Sequence, residues 1–187
     1  IINLSAKGEI FNRDDSIKER LNVRTLSRLK PLLSEGTVTA GNCCMKNDGA
    51  VLLMIMDKKT ALAHKFKKGL IFKDSITIGV EPTLLGMGPV LAVSKLLRKN
   101  KMTIEDINAI ELNEAFASQV VASQRCLDIP AHKLNKYGGA IATGHPYGAS
   151  GAALVTRLFH MKNDKRTIAT MGIGGGMGNA ALFERWL

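Results

Sequence analysis

A histidine held between a glycine and a proline, Gly144-His145-Pro146, stands just before a stretch that reads as a helix starting near Gly148. The positive end of a helix disfavours imidazolium, so a histidine placed there is expected to stay neutral and able to accept a proton near neutral pH. That is the chemistry of a general base. The competing reading is a loop histidine among glycines that merely turn the chain. Asn113, followed by Glu114, ends an apolar stretch and presents the same kind of choice. Its amide either caps a helix beginning at 114 or is offered to a water or a carbonyl. The third candidate is the glycine-rich run Gly172 to Gly178, whose backbone N–H groups could form an oxyanion hole or whose glycines could serve only a turn.

Cysteine chemistry is less promising. Cys43, Cys44 and Cys126 give an odd count with no C-x-x-C pair, which points to neither a disulfide framework nor a thiolate zinc site, and a reducing cytoplasm is the expected setting. The adjacent Cys43 and Cys44 read as a buried, inert pair, since no electropositive cue lies near them. His64, His132 and His160 lack metal-ligand spacing, so no metal is expected. No G-x-G-x-x-G follows the first strand and no Walker lysine pattern occurs, which argues against a dinucleotide or P-loop site.

The elements that must position these residues belong to a chain of 187 residues with 45% apolar and 22% charged side chains, the balance of a protein that buries a core without staples. The longest apolar run, Ala50 to Met56, falls far short of the ~20 residues that span a bilayer, so no membrane segment is expected. Lys and Arg number 26 against 16 Asp and Glu, a formal +10. Aromatics at 5% and scattered basic runs argue against a nucleic-acid platform and for a solvated basic surface or a phosphate-bearing small ligand such as coenzyme A. The opening Ile1-Ile2-Asn3-Leu4-Ser5 carries no initiator Met or targeting pattern and reads as the interior of a longer protein.

Residues 1 to 35 read as a polar surface segment with a short helix stopping at Leu29 to Pro31. Val51 to Met56, apolar on both faces, predicts a buried central strand, and a basic helix follows around 61 to 68. From 75 onward the patterns predict strand 75–80, a helix opened by Pro89 and ending near Lys99, and strand 107–112. Helix 114–126 and a glycine-rich loop at 138–151 come next, then a helix to about Met161 and strands 167–171 and 179–186. The order β-α-β-α-α-β-β is that of a layered α/β domain.

Five segments in this order resemble the C-terminal half of thiolases, the coenzyme A-dependent acyltransferases that make or break 3-ketoacyl thioesters. They are Gly36 to Asn42 with Asn47-Asp48-Gly49-Ala50, Gly86-Met87-Gly88-Pro89-Val90, Asn113-Glu114-Ala115-Phe116, Gly138 to Gly151, and Gly174 to Gly178. The resemblance runs from about residue 11 to 186. It implies a fold of two similar α/β domains stacked as αβαβα layers, with a loop domain inserted in the first. On that basis 1–45 is the end of the loop domain, 46–68 the last strand and helix of the N-terminal domain, and 69–187 the C-terminal domain. The sheet partners of 51–56 would then lie in polypeptide outside this sequence.

The resemblance also implies roles. His145 activates a nucleophilic cysteine that belongs to the N-terminal half, and none of Cys43, Cys44 and Cys126 lies in that cysteine's motif. Asn113 holds a water that, with His145, receives the thioester oxygen, and the backbone N–H at Gly174 contributes to a second oxyanion hole. A second cysteine that moves a proton at the substrate α-carbon is replaced here by Gly172. Cys44 stands where a serine often contacts the pantetheine arm of CoA. Asn135-Lys136-Tyr137-Gly138-Gly139 departs from N-x-N-G-G, which puts a supporting hydrogen bond in question. The substrate implied is a coenzyme A thioester with no covalently bound cofactor. The partners implied are the N-terminal half and further copies in a dimer or tetramer, with neither nucleic acid nor membrane. A non-catalytic, acyl-CoA-binding relative is the rival expectation.

Overall fold

The computed structural model describes residues 2–186. The first third is loosely organised. Strands β1 (Leu4–Ala6) and β2 (Glu9–Phe11) pair as a short antiparallel hairpin. Helix α1 (Val23–Leu26) is capped by Asn22, whose side chain accepts from the Thr25 amide at 2.9 Å. Helix α2 (Lys58–Ala63) is capped by Asp57, accepting from the Thr60 amide at 2.6 Å.

Regular packing begins with β3 (Gly69–Gly79), followed by α3 (Gly88–Lys99), β4 (Ala109–Leu112), α4 (Ala117–Cys126), the single turn α5 (Ala140–Thr143), α6 (Ser150–His160), β5 (Arg166–Ile173) and β6 (Met177–Trp186). The four strands form one sheet in the order β3-β6-β5-β4. β4 and β5 run parallel, as a crossover through α4 to α6 requires, while β6 is antiparallel to both its neighbours.

Alternation along the strands shows that both faces of the sheet are covered. Ile110, Ile168, Ala180 and Leu182 pack with Val93, Leu96 and Leu97 of α3. Their neighbours in sequence, Ala109, Ala169, Ala181 and Phe183, pack on the opposite face with Leu154 and Leu158 of α6. An α/β sandwich results, with α3 below the sheet and α6 above it, which explains strands that are apolar on both faces. Pro89, inside the first turn of α3, fixes the helical φ where no intrahelical N–H bond is lost.

The predicted order from 75 onward is present, with adjusted bounds. The first strand begins at Gly69, earlier than its β-branched segment suggested, because β6 is long enough to pair with it back to Trp186. The glycine run contracts to a turn at 174–176, since Gly172 and Gly178 pair across the hairpin. Gly175 and Gly176 take φ of +86° and +85°, a region that side chains resist, so these two glycines serve the turn.

One predicted strand is absent. Val51 to Met56 has no ladder partner, and Leu52 and Ile55 are 94% and 87% exposed. A strand apolar on both faces needs neighbours at its edges and layers on both sides, and the described residues supply neither.

The two classes of apolar residue should respond differently to truncation. Leu96→Ala, at a fully buried site, is expected to cost roughly 3 kcal/mol of unfolding free energy, whereas Ile55→Ser should stay within about 0.5 kcal/mol. Urea denaturation of the two variants at one pH checks this, and equal losses would contradict the assignment of the core.

Candidate active site

His145 occupies the loop between α5 and α6, and contacts from three directions hold it. Its amide donates to the Met45 carbonyl at 2.8 Å, so the segment 45–49 lies alongside the loop, with Gly49 against Pro146. On the ring, Nδ1 is 2.6 Å from the Ser150 hydroxyl and Nε2 is 3.3 Å from the Asn113 amide nitrogen. An amide nitrogen only donates, so Nε2 accepts and the proton sits on Nδ1. Nδ1–H then donates to Ser150 Oγ, whose own hydroxyl donates to the Pro146 carbonyl at 3.0 Å. This relay fixes a neutral imidazole with its lone pair on Nε2. Burial moves the imidazole in the same direction, holding its pKa below the ordinary 6.5. The Tyr147 ring tilts against it at 4.7 Å between centroids.

Asn113 follows β4 and is 4% exposed. It does not cap a helix. α4 starts three residues beyond 114, at Ala117 behind Phe116, and leaves the Asn113 side chain free to reach the imidazole. Its backbone amide donates to Thr170 of β5 at 3.0 Å. The residues on either side are gripped by one asparagine. Asn135 Oδ1 accepts from the Leu112 amide at 2.8 Å, while its Nδ2 donates to the Leu112 carbonyl at 2.9 Å and to Glu114 Oε1 at 2.7 Å. The Glu114 carboxylate also accepts from the Ile141 amide at 3.2 Å. It fills the space where a Cβ at Gly139 would sit, so any side chain there would have to displace the Glu114 carboxylate. Support around Asn113 is therefore retained despite Tyr137 in the altered N-x-N-G-G pattern.

Gly172 lies in β5 opposite Gly178. A Cβ built there would meet only the Leu85 carbonyl at 3.4 Å and Pro89 Cδ at 3.8 Å, so a small side chain fits. Gly174 opens the exposed hairpin turn. Cys44 is half-buried and its amide donates to the Ala115 carbonyl at 3.1 Å. Burial, then the neighbouring Cys43, push its thiol above the ordinary 9.0, which keeps it protonated and a poor nucleophile. Cys126 is exposed at the end of α4. The predicted pair His145 and Asn113 is thus brought into contact, while Gly172 and Gly174 lie on the neighbouring hairpin and Cys44 beside Ala115.

Sequence reasoning assigned no role to Ser150, Glu111 and Arg157, and saw Asn135 only as the start of the altered N-x-N-G-G pattern. Glu111 is fully buried on β4, with Arg157 Nε at 3.3 Å from one carboxylate oxygen and neither oxygen in a hydrogen bond. Burial pushes its carboxyl up to about 7, the nearby Arg157 charge only partly opposing this. The available signal was a glutamate in the otherwise apolar run Ala109-Ile110-Glu111-Leu112.

Comparison with known proteins gives this arrangement a family. Residues 67–185 match the family model described as thiolase, C-terminal domain, and residues 1–59 match thiolase, N-terminal domain. The chain belongs to the thiolase family. It is 66% identical over 186 residues to a protein of Staphylococcus epidermidis strain RP62A named "Putative acetyl-CoA C-acetyltransferase VraB", covering 100% of this chain and 49% of the relative. The dimeric peroxisomal thiolase of Saccharomyces cerevisiae superposes with a TM-score of 0.87 at 33% identity, over 98% of this chain and 48% of the other. Human mitochondrial 3-ketoacyl-CoA thiolase in complex with CoA gives 0.83 at 30%, over 97% and 47%. The chain therefore spans about half the length of the curated relatives it matches, and it has the mixed α/β thiolase fold. No helix among the described residues is long and apolar enough to cross a membrane.

Two titrations follow from these environments. The Glu111 carboxyl binds its proton more tightly folded than unfolded, so its contribution to stability is complete below about pH 4.5 and is lost as pH rises through about 7. Melting temperature measured across this range should fall less in Glu111→Gln than in wild type, and parallel curves would contradict the assignment. The shift at His145 has the opposite sign, its contribution being lost as pH falls below 6.5. Nuclear magnetic resonance (NMR) titration should place the His145 midpoint below the ordinary 6.5, with the proton on Nδ1 at neutral pH. An Nε2-protonated ring would contradict the relay.

Proposed function

We propose that this chain is the C-terminal part of a thiolase-type acyltransferase, which joins acyl-CoA units by Claisen condensation or cleaves a 3-ketoacyl-CoA by thiolysis. The observation that carries the proposal is the 3.3 Å contact of the Asn113 amide with the unprotonated Nε2 of His145. A base and an amide donor are held side by side there, the pair of groups an acyl-transfer centre needs.

In this reading the N-terminal half supplies the nucleophilic cysteine, and residues 1–45, 46–68 and 69–187 are the loop-domain end, the last N-terminal strand and helix, and the C-terminal domain. His145 Nε2 takes the thiol proton as sulfur attacks the acyl thioester carbonyl. The oxyanion is held by a water on Asn113 together with His145, and the backbone N–H at Gly174 serves the second oxyanion site. CoA leaves with the proton returned from the imidazolium. Cys44 lies against the pantetheine arm, and the +10 charge suits the phosphates of CoA. The complete protein works as a dimer or tetramer in a reducing cytoplasm, without a covalently bound cofactor, nucleic acid or membrane, and the 187 residues alone turn over no substrate.

Gly172 bears on the rate. Glycine cannot carry a proton to or from the substrate α-carbon, and loss of a positioned acid–base group lowers the rate by ~10²–10⁴-fold. The same observation favours a second reading, a non-catalytic thiolase relative that binds acyl-CoA or pairs with an active partner. Gly172→Cys in a protein containing both halves separates them, because the side chain fits the space at that position. Acetoacetyl-CoA thiolysis should rise about 10²-fold or more. An unchanged rate would contradict the catalytic reading.

A further inference from the structure

Helix α6 carries two side chains that reach the site from one side. Ser150, at its start, holds Nδ1 of His145. Arg157, two turns later, does not contact the imidazole. Its Nη2 donates to the carbonyls of Tyr137 (3.0 Å) and Gly138, while its Nε faces the buried Glu111 carboxylate at 3.3 Å. Positions 150 and 157 are seven residues apart, two helical turns, and so share a face.

The partners of Arg157 close a circuit. Glu111 is on β4, two residues before Asn113. Tyr137 and Gly138 belong to a turn closed by the Gly138 amide donating to the Asn135 carbonyl at 2.9 Å. Asn135 in turn grips Leu112 and Glu114, the residues on either side of Asn113. The path from Glu111 through Arg157, the 135–138 turn and Asn135 thus returns to the strand it left, enclosing Asn113.

A fully buried glutamate is costly to keep in a strand whose other residues are apolar. Arg157 also donates to the loop carbonyls, so the pair links strand, loop and helix, which an apolar pair could not do.

We propose that Glu111 and Arg157 are positioning residues that lock the 135–138 turn against β4 and so hold Asn113 in register with the His145 that Ser150 fixes from the same helix. Neither residue touches substrate, and both act through Asn135. This deepens the acyl-transfer reading, on which its catalytic consequence rests, but the geometry it asserts is measurable without turnover.

The test uses NMR on the 187-residue chain. Wild type should show a nuclear Overhauser contact between the Asn113 side-chain amide protons and the His145 ring, and slow hydrogen exchange at the Leu112 amide. Glu111→Gln/Arg157→Met removes both charges at once, so no unpaired buried ion is left to unfold the protein. In it the contact should be lost, and Leu112 should exchange about 10-fold faster relative to Ile168 in the core, the equivalent of one hydrogen bond. Arg157→Lys, which keeps the charge without the fork, should show both changes to a smaller degree. A lowered melting temperature with the Asn113–His145 contact and the Leu112 ratio unchanged would reduce the pair to a structural ion pair and overturn the proposal. Failure of Gly172→Cys to restore thiolysis would instead count against the acyl-transfer reading and leave this geometry standing.

Discussion

The proposed acyl transfer depends on where one proton sits on one imidazole. With Ser150 accepting from Nδ1, the lone pair of His145 is confined to Nε2, and Asn113 is the donor that meets it. If Ser150 were lost, Nδ1–H would lose its acceptor and the Asn113 amide alone would hold the tautomer. Burial supports the same outcome by penalising the imidazolium. The tautomer is therefore set before substrate arrives, and Nε2 becomes free to take a proton when the Asn113 amide lets go of it.

The fold explains how three distant stretches of sequence reach this point. Parallel pairing of β4 with β5 brings the end of β4, and hence Asn113, beside Thr170. The crossover returns through α6, whose first turn carries Ser150 and whose third carries Arg157. The segment 45–49 comes from outside the sandwich and pins the backbone of His145 through Met45. A site at the carboxyl ends of parallel strands is the general arrangement of open α/β sheets. The segment that follows 45–49, Leu52 to Ile55, leaves its apolar side chains exposed.

Much of this was legible in the sequence because each signal was local. The 3.6-residue spacing of Val93, Leu96 and Leu97 behind Pro89 specified α3, and the β-branched and apolar runs specified β4 and β5. The five motifs were enough to indicate the family. Asn113 and His145 could be named, but not their contact, which depends on strand pairing between positions 32 residues apart. Asn113 also read as a cap because a polar residue before a helical pattern is the usual cap signal, whereas the helix starts later, at Ala117. Ser150 and Arg157 were illegible for a related reason: polar residues in a helix carry no sign of what they face, and the motif that named Asn135 did not say what it grips. The run 51–56 misled in the opposite way, since an apolar pattern states what a segment can bury but not whether neighbours exist to bury it.

The account is tested most directly by whether His145 makes a cysteine nucleophilic. In the proposed mechanism the acylation half-reaction does not use position 172, so it can be followed by itself. The protein containing both halves would be mixed with acetyl-CoA at neutral pH and quenched, and its peptides mapped by mass spectrometry. The predicted result is an acetyl group on one cysteine of the N-terminal half, forming about 10²-fold more slowly when His145 is replaced by alanine. Acetylation at Cys43, Cys44 or Cys126, or a rate indifferent to His145, would contradict it.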